Sequence, residues 1–123
     1  MATLFQYSAV YFPPAPVAEI SIRARREVQA IVLLDSGADG TLIPYKLLLA
    51  CRAKFIRTSQ LTGVTGKSVL ADQYVVEIRI GDLKIPGIKA VSSRSSKEVI
   101  LGRDVLNHLI VTLDGIAGTT EIS

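Results

Sequence analysis

Cysteine and histidine are almost missing from this sequence. The one cysteine, Cys51, cannot form an internal disulfide, which fits a reducing, cytoplasmic setting. One histidine and one cysteine cannot assemble a zinc site of imidazoles and thiolates, and neither a metal nor another cofactor is expected. No apolar run approaches the ~18 residues of a spanning helix. The opening stretch, MATLFQYSAVYFPPAP, has neither the basic start nor the long apolar segment of a signal peptide. There is no internal repeat, low-complexity tract or linker. The net charge is only +3, and the densest basic knot, Arg23, Arg25 and Arg26, stands beside Glu27 and reads as a solvated turn. Residues 69–91 do not interleave aromatic with basic side chains as a nucleic-acid-binding sheet does. These absences set aside membrane spans, disulfide scaffolds, zinc modules and nucleic-acid binders. A soluble, cytoplasmic domain remains.

What is present is a chain of 123 residues, 49% hydrophobic and 20% charged, read as one domain over residues 1–123. It is long enough to bury a core without staples, and apolar enough to leave surface for a second subunit. The punctuation is all-β. TLFQYSAVYF reads as a strand that stops at Pro13 and Pro14. PVAEISIRA alternates, with Ala18, Ile20 and Ile22 on one face and Glu19, Ser21 and Arg23 on the other. Val28 to Leu34 follows, and its run from Ile31 to Leu34 reads as buried on both faces. TLIP is extended, and Pro44 opens a short helix, PYKLLLACR. Residues 55–62 form a strand, TGVTG a flexible tip, and then Leu70, Tyr74, Val76, Ile78 and Ile80 share one face. Gly81-Asp82 is a turn, and residues 84–91 are a strand in which Pro86 marks an edge or a bulge. The polar SSRSSK, the short strand EVILG and a short helix, RDVLNHL, come next, with Asp104 at the positive end of the helix dipole. Two strands joined at Asp114-Gly115 close the chain. Many short strands with regular turns indicate a small barrel or sandwich.

The chemistry points to IVLLDSGADG. A charged acid at the exit of a buried strand is costly unless something pairs with it. Alone, Asp35-Ser36-Gly37 is a weak signal, since an Asp in that context also makes an Asx turn. Its surroundings carry more. An apolar strand precedes it, the Gly-punctuated TGVTG lies downstream, and VILGRDVLNHL follows: two apolar residues, a glycine and a helix.

In that order and spacing the sequence resembles the retropepsin-like aspartic proteases, over about residues 17–115. The FPPAP and the terminal TLDGIAGTTEIS look more like the small bacterial members than the viral ones. The resemblance implies an all-β, small closed barrel-like fold, one lobe per chain, with a short helix after the second motif. It implies an aspartic endopeptidase without cofactor or metal, acting on peptide or protein substrates. Only one such Asp stands in the chain, so the implied active form is a homodimer with Asp35 meeting Asp35 on the axis. Asp35, Ser36 and Gly37 carry over as catalytic: the acid itself, a hydroxyl that bonds across to the other copy's loop, and a glycine that admits close backbone approach. Ala38, Asp39, Leu33, Gly63, Val64 and Ile100 carry over as substrate-binding. Asp39 would hold the substrate main chain, Leu33, Ile100 and Val64 would line side-chain pockets, and Val64 sits at the flap tip. Gly102 and Arg103 carry over as support, Arg103 pairing with Asp39 inside the subunit.

Other groups match no role. Asp114-Gly115 lacks the hydroxyl residue, and Asp104 and Asp72 lack the flanks. His108 reads as a helix surface residue and Cys51 as a small buried apolar group. The flap is less glycine-rich than in viral enzymes, and the terminal strands need not interleave across a dimer. The alternative reading is a catalytically silent dimeric interaction module that keeps the fold.

Overall fold

Alternation along residues 17–23 builds the first wall of the core. Strand β2 (Val17–Arg23) turns Ala18, Ile20 and Ile22 inward, each at most 1% exposed, and Glu19 and Arg23 outward. A computed structural model describes residues 2–62 and 66–123. Within them, β1 (Thr3–Gln6) precedes β2, and β3 (Glu27–Leu34) and β4 (Leu42–Pro44) lead to helix α1 (Tyr45–Ala50). A long hairpin, β5 (Lys54–Thr62) and β6 (Ser68–Ile80), is followed by β7 (Leu83–Ser93) and β8 (Val99–Leu101). Helix α2 (Arg103–Leu106), β9 (Val111–Asp114) and β10 (Thr119–Ile122) complete the chain.

The sheet runs β2-β3-β8-β4-β7-β6, and β2 pairs again with β6, so six strands close into a barrel. Closure is made where Ser21, Ile22 and Arg23 face Arg79, Ile78 and Glu77. Ile22 and Ile78 meet there with no exposure, and each such buried side chain contributes about 1.5–3 kcal/mol. β5 extends the sheet beyond the ring through its pairing with β6. A separate sheet, β1-β10-β9, lays Phe5, Val111 and Ile122 over the open end of the core. The fold is therefore all-β and closed, one lobe per chain, as expected from the sequence.

Several expectations need correction. The N-terminal strand ends at Gln6, because β10 offers only Thr119–Ile122 as a partner. Residues 7–16 form a loop instead, clasped by the Ser8–Ala15 bridge and by the Tyr11 hydroxyl donating to Glu98. That bond to a carboxylate, aided by burial, pushes the Tyr11 phenol above its ordinary range. Pro44 ends β4 and caps α1 from outside. Ile31 is 69% exposed, because β3 is covered by the barrel on one face only and the alternation turns Val32 inward. Leu70 is exposed although Val76, Ile78 and Ile80 are buried, since the outer half of the hairpin has no opposite wall. Tyr74 lies at the boundary, edge-on to Phe55 and tilted against Tyr45.

Pro86 does mark a bulge. The β6–β7 register shifts between Val76 and Ile78, and Gly87 takes φ 72°, open to glycine without strain. Gly81, at φ 56°, makes the tight turn between the same strands. Cys51 is fully buried, and burial pushes its thiol up.

Candidate active site

Strand β8 runs between β3 and β4, the strands that enter and leave the Asp35 loop. The loop therefore wraps around the end of β8, and that contact shapes it. The Asp35 N–H donates to the Leu101 carbonyl at 3.0 Å, and the Arg103 N–H donates to the Ala38 carbonyl at 2.9 Å. Gly102 sits in the middle of this embrace and is buried. Within the loop, the Gly37 N–H donates to Asp35 Oδ1 at 2.9 Å, and the Ala38 N–H donates to the Asp35 carbonyl at 3.2 Å. Asp35 is thus in an Asx turn, and the same bond fixes one carboxylate oxygen in a set orientation. The two readings of the tripeptide are compatible.

Arg103 ties the loop down from α2. Its Nη1 donates to the Ser36 carbonyl at 2.7 Å, and its Nη2 pairs with Asp39 Oδ1. This pair is not interior: the Asp39 side chain is 94% exposed and that of Arg103 43%. Asp39 lies past the bend of the loop, where the chain has nothing to cover it.

Two residues beneath the loop were missed. Thr41 is fully buried, and its hydroxyl donates to Asp104 Oδ1 at 2.7 Å while accepting the Gly102 N–H at 3.2 Å. Asp104 Oδ2 also accepts the Thr41 N–H at 3.1 Å. Asp104 therefore braces the loop rather than merely suiting a helix end. Nothing local signals this, because Thr41 and Asp104 come together only when β4 and α2 pack on β8.

An open cleft of about 1080 Å3 lies between the loop and the β5–β6 hairpin. Gly37, Ala38, Asp39 and Ile100 line it on the loop side, and Leu61 and Val69 on the hairpin side. Leu33 is not in its walls; it is half-buried in β3, in register with Ile100. Asp35 and Ser36 stand on the same loop, just before the lining residues, with Asp35 half-buried and Ser36 exposed. Gly63 and Val64 fall outside the described residues. His108 is exposed, but it lies past the end of α2 and lines this cleft with Asp104. Among the described residues no three His, Cys, Asp or Glu side chains gather as a metal would need, and no helix is long and apolar enough to cross a membrane.

The comparisons agree with this architecture. The family pattern described as "gag-polyprotein putative aspartyl protease" matches residues 19–108. A retropepsin-like aspartic protease from Rickettsia conorii superposes with a TM-score of 0.67 at 11% identity, over 99% of this chain and 90% of its own. The EIAV protease, solved with the inhibitor HBY-793, superposes with a TM-score of 0.62 at 22% identity, over 85% of this chain and 93% of its own. No curated protein sequence matches significantly. The chain belongs to the retropepsin-like aspartic protease family.

Proposed function

We propose that the chain is an aspartic endopeptidase that works as a homodimer, with Asp35 from each of two copies forming the catalytic dyad. One observation carries the reading. Asp35 leaves β3 in a loop held by β8 and Arg103, one oxygen bonded by Gly37 N–H, and it has no ion-pair partner among the described residues. A carboxylate held this firmly but left unpaired fits half of a shared site. Membership of the protease family supports the same reading.

The chemistry follows from charge. Two carboxylates about 3 Å apart cannot both ionise, so they hold one proton between them and titrate as a unit. The ionised member draws a proton from a bridging water, which attacks the scissile carbonyl carbon. The protonated member donates to the carbonyl oxygen. The tetrahedral intermediate then collapses, a proton passes to the nitrogen, and the amine leaves. The cleft beside Ala38 and Asp39 would take the extended peptide, with the β5–β6 hairpin as its cover. Digestion of a peptide library by wild type and Asp35→Asn in parallel tests the proposal. Cleavage by wild type only is expected; equal cleavage by both would reject the dyad.

A further inference from the structure

Four cations outside the proposed site share a second cleft. Arg23 ends β2, Arg25 lies in the turn to β3, and Arg52 and Lys54 flank the passage from α1 into β5; all four are exposed. They line an open cleft of about 680 Å3. The turn is fastened to the helix end by the Arg26 N–H, which donates to the Cys51 carbonyl at 3.0 Å. None of the four has an ion-pair partner among the described residues. The nearby carboxylates are engaged elsewhere. Glu27, directly across from Arg23 in the β2–β3 register, lies 3.6 Å from Arg79 Nη1. Glu77, in the wall of the cleft, accepts from Arg79 Nε at 2.5 Å.

Arg52 is a separate observation. Helix α1 ends in a Schellman arrangement: the Arg52 N–H donates to Leu49 O at 3.1 Å and the Ala53 N–H to Leu48 O at 3.0 Å. The residue after the cap must then take a positive φ, and Arg52 has φ 56°, alone among the described non-glycine residues. Glycine adopts this conformation freely, whereas a Cβ there is strained. The chain nevertheless has an arginine at that point, and its side chain lines the cleft. One cation at a helix C-terminus offsets the partial negative charge of the last carbonyls. Arg23, Arg25 and Lys54, which share the cleft with Arg52 but lie outside the helix, are not accounted for by that use.

The basic cleft adjoins the cleft beside the Asp35 loop. Gly87 belongs to the wall of both, and nothing lies within 4 Å of where its Cβ would stand. A chain lying in one cleft can continue into the other over this bare backbone. We infer that the cleft of Arg23, Arg25, Arg52 and Lys54 binds an acidic polypeptide segment continuous with the stretch of substrate that enters beside Asp35. This rests on the endopeptidase reading, which makes the occupant a polypeptide. A carboxylate-bearing chain fits better than a phosphate polymer. The adjoining cleft has a single lysine, Lys89, in its walls, and its two acids are already engaged, Asp39 by Arg103 and Asp104 by Thr41. It therefore holds no row of cations for a backbone charged at every unit, whereas a polypeptide can confine its acids to the basic end.

Fluorescence anisotropy with a labelled hexaglutamate peptide tests the site without cleavage. Wild type and Asp35→Asn are expected to bind alike, and added salt to weaken both. Arg52→Gly and Arg25→Gln should each weaken binding about twofold to fivefold, the size of an exposed ion pair. Arg52→Gly should also raise Tm by relieving the positive φ, so its weaker binding cannot come from unfolding. In a second arm, wild type should cleave library peptides that carry a glutamate-rich tail at a lower KM than untailed ones, and Arg52→Gly should narrow that ratio. Unchanged hexaglutamate binding in both variants overturns the site. A labelled thymidine oligonucleotide held by these arginines in place of hexaglutamate overturns the acidic-polypeptide assignment. An equal KM for tailed and untailed peptides overturns continuity with the substrate. Intact hexaglutamate binding with no cleavage by any variant supports the anion site and overturns the endopeptidase reading.

Discussion

Gly102 lies so close to Gly40 that a Cβ on it would stand 2.5 Å from both the carbonyl carbon and the oxygen of Gly40. The Ala38 carbonyl oxygen would be 3.0 Å away. These are backbone atoms of the Asp35 loop and of the segment leaving it, and they cannot swing aside as the end of a side chain can. Gly102→Ala should therefore displace the loop, with an overpacking cost of about 1–3 kcal/mol. Thermal melting checks the stability, and a peptide assay checks the loop. A variant that melts and cleaves like wild type would show that the contact is softer than its geometry.

Thr41 and Asp104 make the second support. Thr41→Val keeps the shape but removes the hydroxyl that serves Asp104 and the Gly102 N–H. The buried Gly102 N–H is then left without a partner, at about 1–3 kcal/mol, while Asp104 loses one bond but keeps those from the Thr41 and Val105 N–H groups. Thr41→Ser, which keeps the hydroxyl, should lose much less. Chemical denaturation of the two variants makes the comparison, and equal stability would contradict the role.

Arg103→Ala carries a different expectation from the one the sequence alone invites. A buried pair with Asp39 would cost about 3–5 kcal/mol when broken. The Asp39 side chain is 94% exposed, so the pair itself contributes about 0–1 kcal/mol in the single chain. The other loss is the bond to the Ser36 carbonyl, which is itself exposed and worth about 0.5–1.5 kcal/mol. The melting temperature should fall modestly and turnover more steeply, because the tie orients the loop that carries Asp35. Lysine should rescue little, since one ammonium does not reproduce the fork that reaches Ser36 and Asp39 together. Unchanged turnover with unchanged melting would remove Arg103 from the site.

If the active form has one Asp35 from each copy, specific activity should fall on dilution while the fold persists. Sedimentation at matched concentrations should show the dimer dissociating over the same range. Full activity from a proven monomer would reject a shared dyad.

The same dyad predicts a bell-shaped dependence of cleavage on pH. At low pH both acids are protonated and the base is lost; at high pH both are ionised and the proton donor is lost. The limbs belong to the pair and not to either residue. Asp35→Asn should fold and dimerise without cleaving, as amide and acid are nearly equal in size. A hydroxyl-bearing transition-state mimic should inhibit, and a chelator should not. Loss of activity on chelation alone would overturn the mechanism.

Much of the molecule was legible from short-range pattern. The inward face of Ala18, Ile20 and Ile22, the turn at Gly81 and the bulge at Pro86 each follow from residues a few positions apart. The order of Asp35-Ser36-Gly37 and Ile100-Leu101-Gly102 pointed to the family for the same reason: each motif is a local arrangement of strand, turn and glycine. What only the tertiary structure decided depends on barrel closure. Thr41 meets Asp104, and Arg103 meets the Ser36 carbonyl, because β8 is threaded between β3 and β4. Ile31 is exposed because only one face of β3 meets the core. Arg52 joins Arg23 and Arg25 because a hydrogen bond pins the β2–β3 turn to the end of α1. Alternation and turn chemistry act between neighbours and are written in sequence. Which distant groups become partners is set by the closed sheet, and no local pattern encodes it.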